Sequence, residues 1–65
     1  MFQDLMLKYR VEFLDHGDNV RGRDQFKAKD DGAAITHARR AYRSGIGKGF
    51  ELWQGERRIH KELNA

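Results

Sequence analysis

The chain contains no cysteine and no proline, and a single tryptophan, among its 65 residues. Without cysteine there is no disulfide framework, no thiolate nucleophile and no cysteine-ligated zinc, so stability must come from packing or from a second subunit. Long apolar runs are missing too: no stretch approaches the ~18 residues of a membrane span. The N-terminus has neither the basic start nor the apolar run of a secretory signal. A soluble, cytoplasmic protein with no membrane partner is expected. A mass of 7.6 kDa allows a core of only about a dozen side chains. That size excludes most enzyme architectures. Thirteen Lys and Arg against ten Asp and Glu leave a formal charge of +3, which favours anionic partners without requiring one.

With no low-complexity tract, internal repeat or linker, residues 7–63 read as one small domain and residues 1–6 as an N-terminal extension. Leu7, Tyr9, Val11 and Phe13 alternate with Lys8, Arg10, Glu12 and Leu14, the period of a strand with one buried face. His16-Gly17-Asp18-Asn19 suits a turn, and Val20 to Lys29 reads as a second strand with Val20, Gly22, Asp24, Phe26 and Ala28 on one side. The hairpin register expected pairs Tyr9 with Phe26 and Glu12 with Arg23. It also puts Asp24 beside Val11 on the apolar side, a conflict that an edge position or a bulge at Gly22 would relieve. Asp30 and Asp31 offer a cap and a favourable charge for a helix starting near Gly32, whose Ala34, Ile35, Ala38, Ala41 and Tyr42 share one face. Arg39, Arg40 and Arg43 complement the helix dipole, and Gly45 suits the left-handed cap. Phe50 to Gln54 and Arg57 to Glu62 read as strands joined by Gly55-Glu56, with Leu52 opposite Ile59 and Trp53 opposite Arg58. The expected fold is α+β, a four-stranded antiparallel sheet of strand-strand-helix-strand-strand order, with one amphipathic helix on one face. A right-handed crossover gives spatial order 2-1-3-4.

The strings Tyr9-Arg10-Val11-Glu12-Phe13-Leu14-Asp15, Ala33-Ala34-Ile35-Thr36-His37-Ala38-Arg39-Arg40 and Glu51-Leu52-Trp53-Gln54-Gly55-Glu56-Arg57-Arg58 resemble a group of short, stand-alone bacterial proteins without an assigned function. The resemblance spans about Tyr9 to Lys61. It rests on hairpin and helix signatures, and so implies a fold and no activity.

The uncovered sheet face is the leading candidate site. By these registers it carries Lys8, Arg10, Arg21, Arg23, Lys27, Lys29 and Arg58 against Glu12, Glu51 and Glu62, with Trp53 and His60 among them. Cations that meet phosphates around a ring that stacks on a base or sugar are what a nucleic-acid platform needs. Arg10, Arg21, Arg23, Lys27 and Arg58 are the expected phosphate contacts and Trp53 the stacking ring. Two other accounts fit the same face. It reads as an ordinary solvated sheet surface, with Trp53 held to Arg58 by a cation–π contact, or as a homodimer interface anchored by Trp53 and Leu14. Phe2, Leu5, Met6 and Leu7 add apolar surface at the N-terminus that suits pairing. His37, Arg39, Arg40 and Arg43 on the outer helix face allow a weaker grip on phosphates.

Other motifs fail on context. Gly45-Ile46-Gly47-Lys48-Gly49 follows a helix and leads into a strand, and lacks both the spacing and the Ser or Thr of a Walker loop. Lys48 stands where a KH-type clamp requires its second Gly. His16, His37 and His60 lack companion ligands at metal spacing, so no metal is expected. Thr36 and Ser44, the only small hydroxyls, have no His–carboxylate pair beside them. The reading is a non-enzymatic module without cofactor, metal or small-molecule ligand.

Overall fold

The computed structural model describes residues 6–42 and 47–63, in the order β1 (Leu7–Leu14), β2 (Val20–Ala28), α1 (Asp31–Tyr42), β3 (Gly49–Gln54) and β4 (Arg57–Leu63). The strands form one antiparallel four-stranded sheet in the order β2-β1-β3-β4, with α1 packed on one face. This is the α+β architecture and strand order that the sequence predicts. Phe2 and Leu5, and the expected helix-cap region with Arg43, Ser44, Gly45 and Ile46, lie outside the described residues.

The core lies between sheet and helix and is built from Tyr9, Val11, Ala28, Ala34, Ala38, Phe50 and Leu52. Ala34 and Ala38, four residues apart, stack on one helix face and are fully buried. Their small side chains let the helix backbone approach the larger Tyr9, Val11, Phe50 and Leu52 of the sheet. The helix starts where the sequence places its cap: Asp30 Oδ1 accepts the Ala33 N–H at 2.8 Å, and the Asp30 carbonyl accepts that of Ala34 at 3.0 Å. Both ends of the helix are also tied to the sheet. The buried Tyr9 hydroxyl donates to Asp31 Oδ1 at 2.8 Å, and Arg39 Nε donates to Glu62 Oε1 at 2.8 Å.

In the first hairpin the expected pairs hold from Leu7–Ala28 to Phe13–Gly22, including Tyr9–Phe26 and Glu12–Arg23. The register then shifts by one, because Arg21 is an extra residue in β2, and Leu14 meets Val20. Val20 therefore leaves the Phe26 side, where alternation alone would put it, and joins Leu14 on the opposite face. Asp24 does sit across from Val11, and its edge position resolves the conflict: it is exposed and accepts the Gln25 N–H at 3.0 Å. Asp15 Oδ1 closes the turn by accepting the N–H groups of Gly17 and Asn19 at 2.8 and 2.9 Å, with Asp18 at a φ of 64°.

The second hairpin turns at Gly55, whose φ of 61° is what a Gly-first two-residue turn requires. Trp53 faces Arg58 as expected, but Leu52 faces His60 and not Ile59. The irregularity between Leu52 and Trp53 makes Ile59 an extra residue, and Ile59 packs against the core. From there every side chain of β4 is displaced by one. His60 and Glu62, expected on the uncovered face, lie on the helix side opposite Leu52 and Phe50, while Lys61 moves to the uncovered face opposite Glu51. Ile59 faces the core with or without the bulge, so what the bulge changes is the placing of the residues after it.

Gly47, on the approach to β3, serves close packing. Gly47 has a φ of 77°, and a Cβ there would fall against the carbonyl oxygen of Leu14. That carbonyl accepts the Lys48 N–H at 2.8 Å, and the Gly47 carbonyl accepts the Tyr42 hydroxyl at 3.0 Å. The connector thus seals the end of β1 to the end of α1.

Candidate nucleic-acid interface

Pairing across the sheet sorts the uncovered face into rows. One row runs Val20, Leu14, Gly49, Leu63; the next runs Arg23, Glu12, Glu51, Lys61; the third runs Gln25, Arg10, Trp53, Arg58. Lys27 and Lys8 pair beyond them. Same-face neighbours along a strand are ~6.7 Å apart and adjacent strands ~4.8 Å, so the face is a shallow grid with an apolar end and a basic end. Its cations are Lys8, Arg10, Arg23, Lys27, Arg58 and Lys61, and its carboxylates are Glu12 and Glu51. The balance of +4 equals the one expected from sequence, with a different membership.

The central carboxylates organise the arginines. Glu12 Oε2 accepts Arg10 Nε at 2.8 Å and lies 3.3 Å from Arg23 Nε. Glu51 Oε2 lies 3.1 Å from Arg58 Nη1 and 3.9 Å from Lys61 Nζ. Like charges directly opposite on neighbouring strands repel, and these flanking cations offset that cost. Arg23 and Arg58 keep more than half of their side-chain surface exposed. Exposed ion pairs of this kind are worth about 0–1 kcal/mol, so each arginine can trade its carboxylate for a phosphate at little cost.

Trp53 stands in the middle of the third row, half-buried, with the Arg10 guanidinium carbon 5.5 Å from its ring centroid. The cation–π partner is therefore Arg10 from β1, across the β1–β3 ladder, and not Arg58, which turns to Glu51. The Trp53 Nε1 donor is buried without a hydrogen-bond partner among the described residues. An aromatic ring with a guanidinium on it is the kind of surface on which unpaired bases stack.

Of the residues predicted from sequence, the structure brings Arg10, Arg23, Lys27, Trp53 and Arg58 onto one face. Arg21 is the bulged residue at the corner of β2, exposed and electrostatically coupled to Asp15, so it stands apart from the grid. Lys29 follows the end of β2, outside the paired residues of the sheet. Leu14, expected as an apolar anchor for a partner, is 3% exposed and offers nothing to bind. Lys61 was hidden from sequence reasoning by the bulge at Ile59. The opposition of Glu12 and Glu51 had no local signal at all, since it depends on how β1 registers against β3.

The helix side supplies a weaker candidate. His37, expected on the outer surface, lies over Phe26 with ring centroids 4.0 Å apart and nearly parallel planes. Arg39 is engaged by Glu62, which also lies 3.1 Å from His60 Nε2. These two contacts, Arg39 first, hold the Glu62 carboxyl below its ordinary value of 4.5. A shallow depression lined by Thr36, Arg39, Arg40, Tyr42 and Glu62 remains, with its carboxylate charged and half of its guanidinium charge already matched. Among the described residues, no group of three or more His, Asp or Glu side chains is placed to hold a metal ion, and no helix is long and apolar enough to cross a membrane. No family model, curated protein or solved structure matches the chain.

Proposed function

We propose that the protein is a non-enzymatic binding module whose uncovered sheet face takes a nucleic-acid strand. The observation that carries the reading is the grid itself: cations from β1, β2 and β4 surround the Trp53–Arg10 stack on a face that the helix leaves open. Phosphates meet Lys8, Lys27, Arg23, Arg58 and Lys61, while a base or sugar stacks at Trp53. The single tryptophan reports on the site directly. Titration of Trp53 fluorescence with short oligonucleotides at low salt should give a saturable change. Arg58→Ala combined with Lys8→Ala should weaken it without altering the circular dichroism spectrum. Unchanged affinity in that folded variant would refute the assignment.

A second reading is favoured by a separate observation. At the apolar end of the same face, Val20 and Leu63 are 40% and 47% exposed. Apolar side chains of that exposure at one sheet end suit self-association into a homodimer. It would make the melting temperature rise with protein concentration, whereas a melting temperature independent of concentration excludes it.

A further inference from the structure

The middle of the basic face is acidic. Glu12 and Glu51 occupy the centre of their row on the two inner strands and sit directly opposite one another. A phosphodiester offers only acceptors and negative charge, so it is excluded from that centre and confined to the cations around it. What fits between those cations is a group with N–H donors, and on a nucleic acid such groups belong to the bases. The neighbouring row supplies the stacking surface such a base needs, Trp53 with Arg10 over its ring.

From this we infer that the face binds single-stranded nucleic acid with its bases turned inward, and that Glu12 and Glu51 select bases carrying an exocyclic amino group. The inference rests on the reading of the face as a nucleic-acid surface and specifies which strand it takes. In each carboxylate both cations crowd one oxygen, Oε2. The other oxygen, Oε1, is the acceptor for a base amino group. The side chains of Glu12 and Glu51 are 12% and 15% exposed, and they open further when Arg23 and Arg58 swing onto phosphates. Cytosine presents its N4 amino group where uracil presents a carbonyl oxygen, which a carboxylate repels. Stacking at Trp53 needs a base out of its helical stack, so an unpaired strand is the form that uses both the ring and the carboxylates.

The test compares oligo-dC with oligo-dU of equal length by Trp53 fluorescence at one salt concentration: cytosine offers an amino group beside a bare N3, uracil an N3–H flanked by two carbonyl oxygens that a carboxylate repels. Wild-type protein should bind oligo-dC about tenfold tighter. Glu12→Gln with Glu51→Gln removes two repulsive charges, so both affinities should rise, yet the dC-to-dU ratio should fall towards one, because the amide also donates to uracil O4. Glu51→Gln alone should move the ratio part of the way. Equal, salt-sensitive affinities of wild type for both oligomers would overturn base selection and leave the nucleic-acid reading standing. Binding to neither oligomer at low salt would overturn both.

Discussion

Gly47→Ala separates a packing role for the glycine-rich connector from a ligand-cradling one. Gly47 has a φ of 77°, and its missing Cβ would point into the Leu14 carbonyl, a backbone atom at the end of β1 that cannot rotate away. Placing an L-residue in the left-handed region costs about 1–2 kcal/mol. Moving the carbonyl clear breaks the bond it accepts from Lys48 N–H, at about another 1 kcal/mol. The loss should come to roughly 2–3 kcal/mol, a fall in melting temperature of roughly 10–20 °C for a domain of this size. Gly55→Ala is the control, since Gly55 has a φ of 61° and no atom within 4 Å of its Cβ position. It should lose only the conformational part, about 1 kcal/mol. Urea denaturation followed by circular dichroism measures both. Equal losses at the two glycines would refute the close-packing argument, and a Gly47→Ala variant of unchanged stability but altered oligonucleotide affinity would return the loop to consideration as a binding element.

Other outcomes follow from the tethers between helix and sheet. Tyr9→Phe removes a buried hydroxyl from Asp31 Oδ1 at 2.8 Å and should cost about 1 kcal/mol, or roughly 4–8 °C in melting temperature; no change would mean that solvent replaces the bond at no loss. Burial, then the bond to Asp31, raises the Tyr9 pKa above its ordinary 10.0. Its contribution is thus complete below pH 10.0 and lost as pH rises through the higher folded value, which alkaline melts of wild type and Tyr9→Phe should show by converging. Glu62 behaves with the opposite sign. Its pKa lies below 4.5, so it adds stability above that pH and loses it as pH falls through the folded value. Because Arg39 and Glu62 are 55% and 34% exposed, the effect is about 0–1 kcal/mol after solvent screening. Urea midpoints of Glu62→Gln and wild type should differ at neutral pH and merge in acid, and a gap that stays constant in acid contradicts the ion-pair account.

The parts of the fold that follow from local patterning were legible in the sequence. Alternation at Tyr9, Val11 and Phe13, the Asp30 cap and the Gly55 turn each have a nearest-neighbour cause, and together with the handedness of the crossover they fix the strand order. Bulges have no such cause. Ile59 and Arg21 are extra residues in their ladders, and no local pattern in the sequence marks either one. A one-residue slip exchanges faces, which is why His60 and Glu62 went to the helix and Lys61 came to the open side. The site was legible as a charge balance and as a set of arginines around Trp53. The partner on the ring was not, since Arg10 reaches Trp53 through the β1–β3 register, a non-local pairing with no turn to set it.

The central claim is that this face holds a phosphodiester backbone, and the salt dependence of binding tests it most directly. If about four cations of the grid replace counterions on a single strand, the logarithm of affinity should fall against the logarithm of salt with a slope of about −3. Between about 50 and 200 mM salt, oligonucleotide affinity followed by Trp53 fluorescence should then drop by about fiftyfold. An affinity that changes by less than about twofold over that range, or no fluorescence change at the lower salt, would contradict the account.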